Sequence, residues 1–267
     1  MILKKNITKI FYFFIFSNVI LWTLIPSFSN LNLPLDTIEA LAWGSNLDWG
    51  FNKHPPFSAF AVEIFYFIFG GNDWSFYLLS QIFVVTAFFT VWKFSNEIFE
   101  NKLHSLLSVL ILSGIYFYNF TTPEFNVNVS QLPFWALSIY FFWKSLNLNK
   151  KIDWILLGFF SALGLLSKYL FIYLIASFFI YFIFNFKKFK KLIPNCLLSL
   201  LIFFTLLSPH LIWLFENNFV TIFYGLNRSG LSDFNISNHF VNPIIFLIKQ
   251  LLILVPFLVM ILVMLKK

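Results

Sequence analysis

Residues Leu35–Pro56 read LDTIEALAWGSNLDWGFNKHPP, a polar island in a chain built mostly of Phe, Leu and Ile. The island carries the carboxylates Asp36, Glu39 and Asp48, the cation Lys53 and the imidazole of His54. A carboxylate within about 3 Å of a hydroxyl can take its proton as a general base, typically worth about 10²–10⁴-fold in rate. Cations aimed at the oxygens of an anionic leaving group stabilise the charge that develops there. Three more residues of suitable type stand between apolar runs: Glu124 in TTPEFN, Lys168 in GLLSKYL and Arg228 in GLNRSG. Carboxylates facing cations in this way suit a site that handles an anion.

Each of these residues also has an ordinary reading. Asp36 and Glu39 after Pro34 have the spacing of a capping box, as do Thr121 and Glu124. A lone His54 fits a loop. Lys168 between two apolar runs can snorkel to the interface.

The elements that must position these groups are membrane helices. Of 267 residues, 60% are hydrophobic and 11% charged, whereas a soluble domain carries roughly 25% charge. Such a chain cannot cover a globular surface with polar groups, so it is an integral membrane protein. The net charge of +7 does not indicate nucleic acid. The lysines cluster beside apolar segments, which suits an anionic cytoplasmic leaflet. The lone Cys196 excludes an intramolecular disulfide and a cysteine metal cluster.

Apolar runs long enough to cross a bilayer are expected near 10–28, 74–95, 103–120, 132–147, 154–167, 169–186, 192–213 and 243–265. The first reads as a retained anchor rather than a cleaved signal peptide, because its apolar core is long and Ser27-Phe28-Ser29 is a poor cleavage site. Eight spans put both termini on one side. Most lysines fall there too, including Lys93, Lys102, Lys144, Lys187, Lys266 and Lys267, so that side is cytoplasmic. Lys53, Lys168 and Arg228 fall opposite. So do Asp36, Glu39, Asp48, Glu63, Asp73, Glu124, Glu216 and Asp233, a gathering of acids that the positive-inside rule does not require.

The first outer loop, about 29–73, has helical spacing in PLDTIEALAW. Leu35, Ile38, Leu41 and Ala42 share one face, and Asp36, Glu39 and Trp43 another. PPFSAFAVEIFYFIFGG has proline at its start and glycine at its end, the usual helix punctuation. It is too short to span. Two helices lying in the interface would therefore flank the acidic loop, with Glu63 toward water.

The stretches LDTIEALAWGSNLDWGFNKHPPFSAF, TTPEFNVNVSQLPFWAL, GLLSKY and LLSPHLIWLFENNF, in that order, resemble glycosyltransferase family 39. The likeness is to its RgtA/B/C/D-like branch, related to protein O-mannosyltransferases and aminoarabinose transferases. It covers roughly residues 30–230, and W-G-x-x-x-H-P-P is its most specific element. The resemblance implies an all-α GT-C fold with about eight transmembrane helices, in one membrane domain over residues 1–267. It also implies a site at the outer face of the cytoplasmic membrane, where a sugar passes from a polyprenyl-phosphate carrier to a lipid, glycan or protein acceptor. The family's first-loop acid corresponds to Asp36 or Glu39; Glu124 matches the second-loop acid and Lys168 the lysine of the L-S-K-Y element. Family members usually continue into further helices and an outer soluble domain, which this chain is expected to lack.

In that chemistry Asp36 or Glu39 would be the base. Lys168 and Arg228 would meet the phosphate, with Lys53 or His54 assisting. A divalent cation, if used, would draw on Asp36, Glu39 or Glu124, although no ligand spacing establishes one. No Gly-rich phosphate loop and no strand–helix alternation is present to hold a nucleotide sugar. Two other classes stay open. A transporter or flippase needs polar or ionisable groups near mid-membrane, and the expected helices offer few there: Gln81, Asn195 and Lys249. A non-catalytic scaffold would carry the acids as decoration and tolerate their loss.

Overall fold

A computed structural model of the chain describes residues 2–228 and 236–265, so Asp233, Lys266 and Lys267 lie outside the described residues. The first helices are α1 (Ile2–Ser29), α2 (Leu35–Gly44), α3 (Phe57–Phe69), α4 (Asp73–Ile98) and α5 (Lys102–Ser113). The middle of the chain forms α6 (Val127–Leu148), α7 (Lys151–Ser167), α8 (Ile172–Phe184) and the single turn α9 (Phe186–Phe189). Then come α10 (Ile193–Glu216), α11 (Val220–Arg228), α12 (Ile236–Ile253) and α13 (Val255–Leu265). No strand occurs among the described residues, and the protein is an all-α, multi-pass membrane bundle.

Among the described residues, four helical segments are long and apolar enough to cross a bilayer: Asn6–Ser29, Asp73–Ile98, Phe186–Glu216 and Phe240–Val263. The expected span at 103–120 is not continuous. Helix α5 stops at Ser113, and a 3-10 turn follows at Tyr116–Tyr118. Polar side chains turn the backbone there: Asn119 donates to the Ser113 carbonyl at 2.6 Å, and Thr122 to the Asn119 carbonyl at 2.6 Å. At about 1.5 Å per residue, α5 and α8 are each only about 20 Å long, short of a hydrocarbon core of about 30 Å.

The bundle packs in the order α1, α4, α6, α7, α10, with α5 beside α4 and α1. Aromatic contact anchors its first part, where Phe11 stacks on Trp92 at 4.3 Å. Gly158 lets α7 approach the α10 backbone at Ser199, and any Cβ there would strike the Ser199 carbonyl. Side chains tie the two ends of the bundle separately. At one end, Tyr140 donates to Glu97, Lys144 pairs with buried Asp153 at 3.1 Å, and Lys102 reaches Thr8 at 3.1 Å. The other end holds the polar loops.

Helix α2 packs on the bundle through a face of small residues. Thr37, Ala40 and Gly44 are buried, while Leu35 and Ile38 are exposed. The reason is close approach to α3: a Cβ on Gly44 would lie 2.9 Å from the Glu63 carboxylate and 3.2 Å from the Ala59 carbonyl. Small residues, not large apolar ones, make that contact. On α3, Ser58, Ala59, Ala61 and Val62 face inward.

Candidate active site

Helix α6 begins with an asparagine cap. The Asn126 side-chain oxygen accepts from the backbone N–H groups of Asn128 at 2.9 Å and Val129 at 3.2 Å, satisfying donors that a helix start leaves open. Its amide N–H₂ faces the other way and donates to Asp36 Oδ2 at 3.2 Å. The Asp36 backbone N–H donates to Glu124 Oε1 at 3.1 Å, and Thr37 donates to the Phe125 carbonyl at 3.1 Å. The first and second loops are thus laced together around one carboxylate.

Neither capping-box reading describes these acids. The cap of α2 is Pro34, which offers no side-chain bond, and Glu39 pairs with Lys53 instead. Glu124 bonds across to α2 rather than back to Thr121. A carboxylate used between loops is unavailable to its own helix.

Two residues past Asn126, Asn128 accepts a hydrogen bond from the Lys168 ammonium at the end of α7. Lys168 sits in extended backbone between α7 and a 3-10 turn at Tyr169–Phe171. The Phe171 ring folds back over Gly164, where a Cβ would overlap it, and this contact fixes how the Lys168 segment leaves the helix. Burial holds the Lys168 ammonium below the usual lysine range, Arg228 pushes it further down, and Asp36 opposes both. His54 is likewise held below its ordinary value, first by burial and then by the Lys168 charge, which favours the neutral imidazole. Lys53 is raised by its bond to Glu39.

Arg228 ends α11, where it donates to the Tyr224 hydroxyl at 3.3 Å. The turn before α11 places Asn218 and Phe219 at φ of 53° and 55°, a region that bulky side chains seldom adopt. Thr221 then donates to the Phe51 carbonyl at 2.6 Å, joining α11 to the first loop. All seven residues singled out from the sequence, Asp36, Glu39, Lys53, His54, Glu124, Lys168 and Arg228, therefore belong to one end of the bundle.

Several site residues carried no signal beforehand. Asn126 and Asn128 were legible only as N-x-N in FNVNVS. From α10, His210 uses Nδ1–H to donate to the Trp49 carbonyl at 2.5 Å, and its Nε2 accepts from Tyr169 at 2.8 Å. The carbonyl can only accept, so it sets this tautomer. Beneath Trp49 lies an open apolar cavity of about 490 Å³, lined by Phe57, Phe60, Phe83, Leu206 and Pro209 among others. Among the described residues, no group of three or more His, Cys, Asp or Glu side chains converges as a metal site would require.

Residues 53–213 match the family model described as dolichyl-phosphate-mannose-protein mannosyltransferase. No curated protein and no solved structure matches the chain. The matched segment includes Lys53, His54, Glu124 and Lys168, and it begins after Asp36 and Glu39 and ends before Arg228.

Proposed function

Because the chain belongs to the dolichyl-phosphate-mannose-protein mannosyltransferase family, we propose that it transfers a sugar from a polyprenyl-phosphate donor to a hydroxyl acceptor. Within that family we assign it to the glycosyltransferase 39, RgtA/B/C/D-like branch. It works at the outer face of the cytoplasmic membrane with both termini inside. The acceptor is a lipid, a glycan or a protein.

The observation that carries this reading is the pair Asn126 and Asn128 on the first turn of α6: one holds the Asp36 carboxylate, the other the Lys168 ammonium. A base and a phosphate-binding cation are thereby held beside each other but kept from pairing. In the proposed step the acceptor oxygen attacks the anomeric carbon. Its proton passes to Asp36, and the anomeric C–O bond breaks with its electron pair leaving on the polyprenyl phosphate. That leaving group is already an anion, so it needs no acid. Lys168 stabilises its charge, and Arg228 approaches from α11. Neutral His54 orients hydroxyls without adding charge. Glu39 is the weaker candidate for base because Lys53 occupies its carboxylate. The isoprenoid tail would follow the apolar cavity beneath Trp49.

The test is mass analysis of cell-envelope lipids and glycans with and without the gene, followed by restoration with wild type or Asp36→Asn. One sugar should disappear on deletion, return with wild type, and stay absent with the variant present in membranes. An unchanged envelope on deletion refutes the reading.

A further inference from the structure

Between α2 and the first turn of α3 lies a second, much smaller cleft, about 10 Å³, lined by Asp36, Glu39, Trp43, His54, Ser58 and Asn126 among others. That is room for about one water-sized group, too little for a phosphate or a sugar ring. Ser58 is 1% exposed, and its hydroxyl has no hydrogen-bond partner among the described residues. A buried hydroxyl without a partner costs stability that an alanine would not. Helix α3 does not need it as a cap either, because its cap is Pro56.

We propose that this cleft receives the attacking hydroxyl of the acceptor, and that Ser58 is a further residue that binds it. This rests on the glycosyl-transfer reading above. The chemistry of the walls fits one neutral hydroxyl, which both donates and accepts. It donates toward the Asp36 carboxylate, the direction in which its proton leaves, and accepts from Ser58. An anion would face Asp36 and Glu39 across a space one group wide. A cation would have only those two carboxylates, one already paired with Lys53. As the acceptor oxygen bonds to the anomeric carbon, its proton moves to Asp36, and Ser58 keeps the remaining lone pair aligned.

The experiment uses Ser58→Ala in the full chain, restored to gene-deleted cells at matched membrane levels. Membranes are supplied with increasing amounts of a lipid extract from the gene-deleted cells, in which unused donor collects. Product formation is followed alongside the thermal midpoint of the purified proteins in detergent. The maximal rate should fall about 5- to 10-fold, the size of one lost hydrogen bond. Half-saturation by the extract should stay unchanged, and the midpoint should hold or rise. Wild-type rates in the variant overturn the assignment of Ser58. A shift in half-saturation at an unchanged maximal rate overturns it too, because Ser58 would then serve ground-state binding and not the transfer step. A lower midpoint with activity lost only in proportion to protein returns Ser58 to a structural role. A wild-type protein that forms no product overturns the glycosyl-transfer reading itself, and this cleft's role with it.

Discussion

Trp213 donates its indole N–H to Asp48 Oδ2 at 2.7 Å, joining the C-terminal end of α10 to the loop between α2 and α3. Asp48 also accepts the Trp49 backbone N–H at 2.7 Å, so one carboxylate turns its own loop and receives the indole. Beside it, the Trp213 ring lies where a Cβ on Gly50 would be. With His210 on the Trp49 carbonyl and Thr221 on the Phe51 carbonyl, residues 48–51 are held from several sides. Lys53 and His54 follow directly from that clasp, so their position depends on α10.

Gly50→Ala should therefore destabilise the loop. Overpacking of this kind costs about 1–3 kcal/mol, and either the loop or the Trp213 ring, which Asp48 holds, must move. We expect a lower thermal midpoint in detergent together with reduced product formation. An unchanged midpoint with full activity would mean that the clasp is not needed.

Asp36→Asn should lower turnover about 10²-fold or more, because the amide keeps the shape but cannot take a proton. Glu39→Gln breaks only a partly exposed ion pair, a change of less than about fivefold. Initial rates in membranes, normalised to protein present, separate the two. A Glu39→Gln loss larger than that of Asp36→Asn would exchange their roles.

Lys168→Met should reduce transfer while leaving the protein folded, since methionine fills similar apolar space. The pH profile carries the sign. The charged ammonium is the useful form, and its value lies below that of an ordinary lysine, so the alkaline loss of activity should begin early. Arg228 pushes Lys168 down, so Arg228→Gln should move that alkaline limb to higher pH. A limb unmoved by Arg228→Gln, or moved downward, would contradict the coupling.

The sidedness follows from reporters at the two ends of the bundle. In a Cys196→Ser background, Asn46→Cys should react with a membrane-impermeant thiol reagent added outside, and Lys150→Cys should not. Labelling of Lys150→Cys from outside would turn the proposed site to the cytoplasm.

Taken alone, the sequence determined the membrane class, the helical architecture and which residues could do chemistry, because these follow from composition, apolar length and side-chain type. The W-G-x-x-x-H-P-P element and the lysine of L-S-K-Y carried the resemblance; the segment that matches the family model takes in Lys168 and the second half of the first element, from Lys53 to Pro56. Helix boundaries were less legible. A polar turn at Asn119 and Thr122 ends α5 within an apolar run, because local hydrogen bonds there outweigh hydropathy. Tertiary structure alone decided which partners each acid meets. Asp36 and Glu39 have the same one-dimensional signature whether they cap a helix or face a substrate, and only the arrival of Asn126 and Lys53 distinguishes them. The same holds for the face of α2 that packs on the bundle, where close helix contact selects Thr37, Ala40 and Gly44. Residues far apart in the chain, such as Asp48 and Trp213, become partners only when the bundle closes, and no local pattern records that meeting.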